Sequence, residues 1–393
     1  MRCWYGRRAN VGEDARFLVG EVTKMNSRKM IHTLAGTLAA LSVLIANTAR
    51  AEEEKVLNVY NWSDYVAEDT ISNFEERTGI KVNYDVFDSN EVLEAKLLAG
   101  NTGYDIVVPS ASFMERQIKA GVFRKLDRSA LTNWDNLDPG IMARVALHDP
   151  DNAHSLPLMW GTTGIGYNEA MVAKALPDAP VNSYAMLFDP DVISKLASCG
   201  VTLLDSPTEV FSAALVYLGK DPNSEDLEDL KAAEEVLAKI RPHIRYIHSS
   251  QQINDLANGE ICVAMGWSGD IMIAADRAEE ADNGIEISYS IPEEGTIIWF
   301  DMLAIPSDAP HPGNAHLFIN YLLEPQVIAD VTDYVYYANP NLASTPLVDE
   351  EITGDPGIYP TDEVQAKLFP DLAHSSRFTR TQTRAWTRFK TGQ

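Results

Sequence analysis

Between residues 56 and 121, short apolar runs alternate with helical patterns, and this order limits the possible folds more than any other stretch of the 393-residue chain. Residues 56–60 are apolar and β-prone. Residues 69–78 carry Ile71 and Phe74 and stop at Gly79, which suits a helix with glycine just past its end. Lys81–Phe87 alternates as a strand. Ser89 is placed to cap a helix with Val92, Leu93, Leu97 and Leu98 as its apolar stripe and Gly100 as its stop. Residues 104–108 read as a buried strand closed by Pro109, and residues 112–119 as a third helix ending near Gly121. A β-α-β-α-β series of this kind predicts an α/β fold with a parallel sheet covered on both faces.

After Trp160 a second series begins. Strands are expected at residues 164–167, 201–204, 261–265, 287–291 and 297–305, and helices at 209–218, 227–240, 253–258 and 315–323. The basic stretch 377–390 reads as a solvated helix face. No internal repeat or low-complexity tract interrupts the pattern.

The amino terminus has the features of an export signal. Arg28 and Lys29 precede a short apolar run at 33–46, and Ala49-Arg50-Ala51 supplies small residues for cleavage after Ala51. The run is too short to span a bilayer, and no later stretch suggests membrane insertion. The expected mature protein is soluble and outside the cytoplasm. Its 342 residues are more than one core usually takes, so two lobes are expected. Residues 1–51 hold 8 of the 32 basic and 3 of the 57 acidic residues, leaving 24 against 54, a formal net charge of −30. Such a field repels nucleic acid and favours encounter with small cations, although solubility alone accounts for much of it. Beyond the leader only Cys199 and Cys262 remain, which in an oxidising compartment are either a disulfide or two buried thiols.

Three separated stretches each bring a tryptophan near an aspartate: Trp62-Ser63-Asp64-Tyr65, Trp267-Ser268-Gly269-Asp270 and Trp299-Phe300-Asp301. An indole face and a carboxylate favour the same guest, a cation on a hydrocarbon stem. Asp301 lies among Ile297, Ile298, Phe300, Met302 and Leu303, where an unpaired carboxylate costs several kcal/mol or loses its charge. No lysine or arginine lies between Arg277 and Lys367. Asp301 therefore takes either a distant internal cation or a bound ammonium as partner. Glu209 follows Leu204-Asp205-Ser206-Pro207-Thr208 at a helix start, where the helix dipole alone already favours it. Trp62, Ser110, Glu209, Trp267 and Trp299 all follow predicted strands, and lining one cleft between two lobes reconciles their separation in sequence.

Other chemistries fit less well. Gly266-Trp267-Ser268-Gly269 lacks the spacer that a nucleophile elbow needs between serine and the second glycine. No motif links His148, His154, His243, His248, His311 or His316 to Ser268. Asp149-Pro150-Asp151-Asn152 lacks calcium-loop spacing, Gly161-Thr162-Thr163-Gly164-Ile165-Gly166 lacks the lysine of a phosphate loop, and no spacing resembles a zinc set. The chain is expected to be no enzyme and to use neither metal nor cofactor.

Asn61-Trp62-Ser63-Asp64-Tyr65, Asp85-Val86-Phe87-Asp88-Ser89-Asn90, Tyr104-Asp105-Ile106-Val107-Val108-Pro109-Ser110 and Gly266-Trp267-Ser268-Gly269-Asp270, in this order, resemble the periplasmic polyamine-binding proteins of putrescine/spermidine ABC transporters. The resemblance implies a type II two-lobed periplasmic binding fold closing on one polyamine, which is handed to a membrane permease. Lobe 1 would comprise residues 52–160 and 302–338, and lobe 2 residues 161–301 and 339–393. It implies a ligand site of Trp62, Ser63, Tyr65, Ser110, Glu209, Trp267, Asp270, Trp299, Asp301 and Tyr337, and a disulfide between Cys199 and Cys262. A tryptophan at 299 resembles spermidine-preferring members, whereas Ser110 resembles the putrescine-type site. The implied receptor is periplasmic, acts as a monomer and has no nucleic-acid partner. A polyamine sensor for a signalling partner is the alternative within binding proteins, and a secreted hydrolase using the 266–270 segment is the catalytic one.

Overall fold

Ten strands, several of them continuously buried, run through the computed structural model, which describes residues 53–392; the leader and its cleavage site lie outside them. The strands are β1 (Val56–Trp62), β2 (Lys81–Phe87), β3 (Ile106–Val107), β4 (Ser155–Asn168), β5 (Val201–Leu203), β6 (Ile244–Ile247), β7 (Val263–Trp267), β8 (Ile287–Ser290), β9 (Ile297–Ala304) and β10 (Phe369–Pro370). The helices that matter below are α1 (Thr70–Thr78), α2 (Asn90–Ala99), α3 (Ala111–Lys119), α4 (Pro207–Tyr217), α5 (Leu227–Ile240), α6 (Ser268–Glu280), α7 (Pro325–Val335) and α8 (Ser376–Thr391).

Hydrogen bonding orders the strands β2-β1-β3-β9-β4-β7-β5-β6, with β10 added to β9 and β8 to β4. β1 pairs in parallel with β2 and β3, and β5 with β6 and β7. Between these two parallel sets run β9 and β4, antiparallel to each other and to β3 and β7 respectively. The chain is thus a two-lobed α/β protein, but its sheet is mixed.

The 14-residue β4 departs most from the sequence pattern, for it runs unbroken through Trp160, where the series looked interrupted. Its glycines hid it, since glycine weakens a strand in isolation. Here they admit close neighbours. A Cβ on Gly161 would lie 2.6 Å from the Trp299 ring, and one on Gly164 would lie 2.5 Å from the Ser290 carbonyl oxygen.

Local signals in the first series set the helix ends. Ser89 Oγ accepts the Val92 N–H (3.3 Å), and Gly79 ends α1 in the left-handed conformation at φ 69°. The stripe of α2 is narrower than expected, because Leu93 and Leu97 are buried while Val92 and Leu98 are exposed. α8 is more than a solvated face. Phe378, Ala385, Trp386 and Phe389 recur at helical spacing and enter the core around Phe188, Phe211 and Leu237. Trp386 Nε1 also donates to Asp205 Oδ1 (2.9 Å). By contrast, Val348, Ile352 and Ile358 pack with Tyr60, Phe87 and Trp160.

Cys199 and Cys262 form a disulfide across 63 residues, tying the turn before β5 to the residue preceding β7. Replacing both by alanine is expected to lower unfolding free energy by about 2–4 kcal/mol, measured by chemical denaturation with the fold checked by circular dichroism.

Candidate functional site

The carboxyl ends of the parallel strands converge on one cavity of about 170 Å³. All ten residues proposed from sequence line it: Trp62, Ser63, Tyr65, Ser110, Glu209, Trp267, Asp270, Trp299, Asp301 and Tyr337. Trp62 closes β1, Trp267 closes β7, Ser110 follows β3 and Glu209 lies in the first turn of α4. Trp299 is the exception to the strand-end expectation, since it is the third residue of β9. Because β9 runs antiparallel to β3, its beginning reaches the level where the parallel strands end, and Ser110 bridges to Asp301. Trp299 and Asp301, two apart on that strand, both face the cavity.

Asp301 is 5% exposed and accepts two hydrogen bonds, from Tyr65 Oη and Ser110 Oγ, each 2.6 Å. The sequence suggested a cationic partner, but these partners are hydroxyls. Ser110 is fixed in turn by Asn90, whose Nδ2 donates to Ser110 Oγ and whose Oδ1 accepts the Ser110 N–H, both at 2.9 Å. Burial pushes the Asp301 carboxyl up to about 6, although the two hydroxyls oppose the shift.

Asp270 sits in the first turn of α6, where the helix dipole favours negative charge. Tyr337 Oη donates to Asp270 Oδ1 (2.8 Å) and accepts the Asp270 N–H (3.1 Å). The missing Cβ of Gly269 makes this approach possible, because one there would lie 2.6 Å from the Tyr337 ring. Burial pushes Asp270 up to about 7 against the lowering effects of that tyrosine and of Arg277, which also lines the cavity, with Asp64 and Glu209 adding to the rise. Glu209 accepts from Thr163 Oγ1, Trp267 Nε1 and Ser206 Oγ, yet burial still raises it above the usual carboxylate range.

The aromatic walls come from both parallel sets of strands. Trp62 meets Trp267 edge-on with ring centroids 6.2 Å apart, and Trp299 meets Tyr337 at 5.1 Å. Trp62 Nε1 is anchored on the Val108 carbonyl (2.9 Å). The tryptophan–aspartate pairs seen in sequence are therefore not the working units, for Trp267 bonds Glu209 while Asp270 bonds Tyr337. Thr163, Asn90 and Asp371 belong to the arrangement and were missed in the site set. Asn90 closes a motif already singled out at 85–90, whereas Asp371 has no local motif to mark it. Ser268 begins α6 buried, and its hydroxyl accepts the Thr162 N–H at 3.4 Å.

A cavity with several desolvated acids, hydroxyl donors and indole faces can hold a slender cation at more than one point. Among the described residues, no group of histidine, cysteine, aspartate or glutamate is arranged to hold a metal ion, and no helix is long and apolar enough to cross a membrane.

Residues 69–361 match the bacterial extracellular solute-binding protein family. The chain is 54% identical to the putrescine-binding periplasmic protein PotF of Escherichia coli, over 95% of this chain and 100% of that one. It is also 54% identical to the putrescine-binding periplasmic protein SpuD of Pseudomonas aeruginosa, over 93% and 100%. Among solved structures, it resembles the spermidine/putrescine ABC transporter substrate-binding protein PotD of Streptococcus pneumoniae, with a TM-score of 0.72, 29% identity and coverage of 86% and 99%.

The raised acids make a stability prediction. An acid whose folded value lies above its unfolded one holds extra protons in the folded state, so its burden on stability is absent below about pH 4 and complete above about pH 7. Asp270→Asn, which keeps an acceptor for Tyr337, should make the ligand-free protein more stable than wild type at pH 7.5, by at most roughly 4 kcal/mol. The gap should narrow by pH 5 in denaturant titrations at the two pH values.

Proposed function

Because the chain belongs to the bacterial extracellular solute-binding protein family, we propose that it is a periplasmic receptor that binds a linear polyamine, putrescine or spermidine, and delivers it to an ABC transporter permease. The observation that carries this reading is the set of buried Asp301 and half-buried Asp270 and Glu209, lining one cavity and hydrogen-bonded to hydroxyl and indole donors rather than to lysine or arginine. A terminal ammonium supplies the positive charge that these carboxylates lack. The methylenes between ammonium groups lie against Trp62, Trp267 and Trp299. Each charge-assisted hydrogen bond contributes about 1.5–3 kcal/mol and each cation–π contact about 0.5–2. A few of each, less the cost of association, suffice for micromolar binding at about −8 kcal/mol.

Lobe 1, residues 52–160 and 302–338, and lobe 2, residues 161–301 and 339–393 except for Val348, Ile352 and Ile358, which pack with lobe 1, close on the ligand as a monomer, with β4 and β9 crossing between them. Export follows cleavage after Ala51. The protein returns its ligand unaltered. The relatives named above are binding proteins, which supports a receptor without turnover.

Mass spectrometry of the protein purified from its host should find an intact polyamine, and recovery of a chemically altered amine would reject the receptor reading. Asp301→Asn should weaken polyamine binding at least tenfold by calorimetry, and unchanged affinity would remove Asp301 from the site. Since Asp301 and Asp270 must lose protons before receiving an ammonium, affinity should fall as pH drops from 7.5 to 5. Calorimetry near pH 6 in buffers of different ionisation enthalpy should show proton release on binding.

A further inference from the structure

Ser110 occupies the N-cap of α3, where a serine hydroxyl ordinarily accepts a backbone N–H of its own helix, yet its side chain makes no such cap. The hydroxyl is turned instead to Asp301 Oδ1 (2.6 Å), across the antiparallel bridge that sets the two residues side by side. Asn90, the first residue of α2, reaches Ser110 twice. Its Nδ2 donates to Ser110 Oγ and its Oδ1 accepts the Ser110 N–H, each at 2.9 Å. The frame around this contact is tied on both sides, for Ser89 caps α2, and Arg116 of α3 pairs with Glu94 of α2 through Nε to Oε1 (2.5 Å) and Nη2 to Oε2 (3.0 Å).

Counting hydrogens fixes the direction of each bond. The Ser110 N–H can only donate, so the Asn90 atom that faces it is the amide oxygen, and the amide nitrogen is left facing Ser110 Oγ. Oγ therefore receives a hydrogen from Asn90, and its own single hydrogen is left for Asp301. An N-cap serine has a competing role as acceptor for the N–H groups that open its helix, and the Asn90 amide takes the place of that role.

We propose that Asn90 is a positioning residue: by holding Oγ away from the α3 cap and supplying it with a hydrogen, it commits the Ser110 hydroxyl to Asp301 and keeps that carboxylate ready for an ammonium. This deepens the polyamine reading of the cavity and rests on it. A committed donor favours the ionised carboxyl, as the Ser110 and Tyr65 hydroxyls both do against burial. The other titratable groups facing Asp301 are Tyr65, Tyr337 and Glu209, while Glu91, Asp270 and Arg277 line the same cavity. A substitution at 90 leaves all six in place.

Asn90→Ala, Ser110→Ala and the double variant test this in the ligand-free protein and with putrescine as probe. Alanine suits a helix, so the fold should persist, and the titration is read on folded protein by carbon-13 NMR of labelled aspartate carboxyls, the Asp301 signal being the one lost in Asp301→Asn. The Asp301 carboxyl should titrate at higher pH in Asn90→Ala and in Ser110→Ala alike, and no higher in the double variant. Calorimetry should find putrescine binding weakened about threefold to tenfold in each single variant and no further in the double. An Asp301 titration unmoved by Asn90→Ala would overturn the proposal. Additive losses in the double variant would overturn it too, because Asn90 would then act independently of Ser110. Wild type that binds no amine would overturn the polyamine reading, while the ligand-free titrations would still decide what Asn90 does to Asp301.

Discussion

Carboxylates gathered in a cavity whose lining holds one arginine, Arg277, are the constraint on which the rest of this structure depends. Each must find hydrogen-bond donors or give up its charge, and the chain supplies donors that stabilise without neutralising. Asp301 receives two hydroxyls, Asp270 receives one and Glu209 receives two hydroxyls and an indole. The result is a cavity kept polar and structurally fixed, in which the acids far outnumber its one arginine, Arg277. Neutral donors hold the acids in position, whereas an internal lysine would have satisfied them and left nothing for a guest to do.

The sheet makes this arrangement possible. Two sets of parallel strands end on the same cavity because β4 and β9 run between them in opposite directions, and register places Trp299 against Gly161 and Asp301 against Met159. Glycine at 161 leaves room for the Trp299 ring, and glycine at 269 leaves room for Tyr337 against the start of α6. Tyr337, which packs with Tyr65 and the core beside α7, thereby reaches an aspartate of the other set. Backbone close approach, side-chain donors and acid burial are therefore parts of one device.

Much of this was legible along the chain. Ser89 and Gly79 marked helix ends by local chemistry, and they act over a few residues wherever they occur. Trp62, Ser110, Trp267 and Asp270 were legible because strand-to-helix junctions leave side chains at sheet ends, a property of local pattern. Two features escaped for opposite reasons. β4 was masked by glycines whose purpose lies in residues more than 100 positions away, and α8 was read from its charges, although its buried aromatic spacing decides where it packs.

The sequence by itself determined which residue types would meet a guest: acids among apolar neighbours, indoles beside them and too few nearby cations, because burial and charge follow from composition within each short window. Tertiary structure decided who partners whom. Trp267 bonds Glu209 instead of its neighbour Asp270, Asp301 takes Tyr65 and Ser110, and Asp371 arrives on a two-residue strand from near the C-terminus. Hydrogen bonds require donors and acceptors within about 3 Å, and for residues tens to hundreds of positions apart only the crossing of β4 and β9 and the packing of both lobes set that distance.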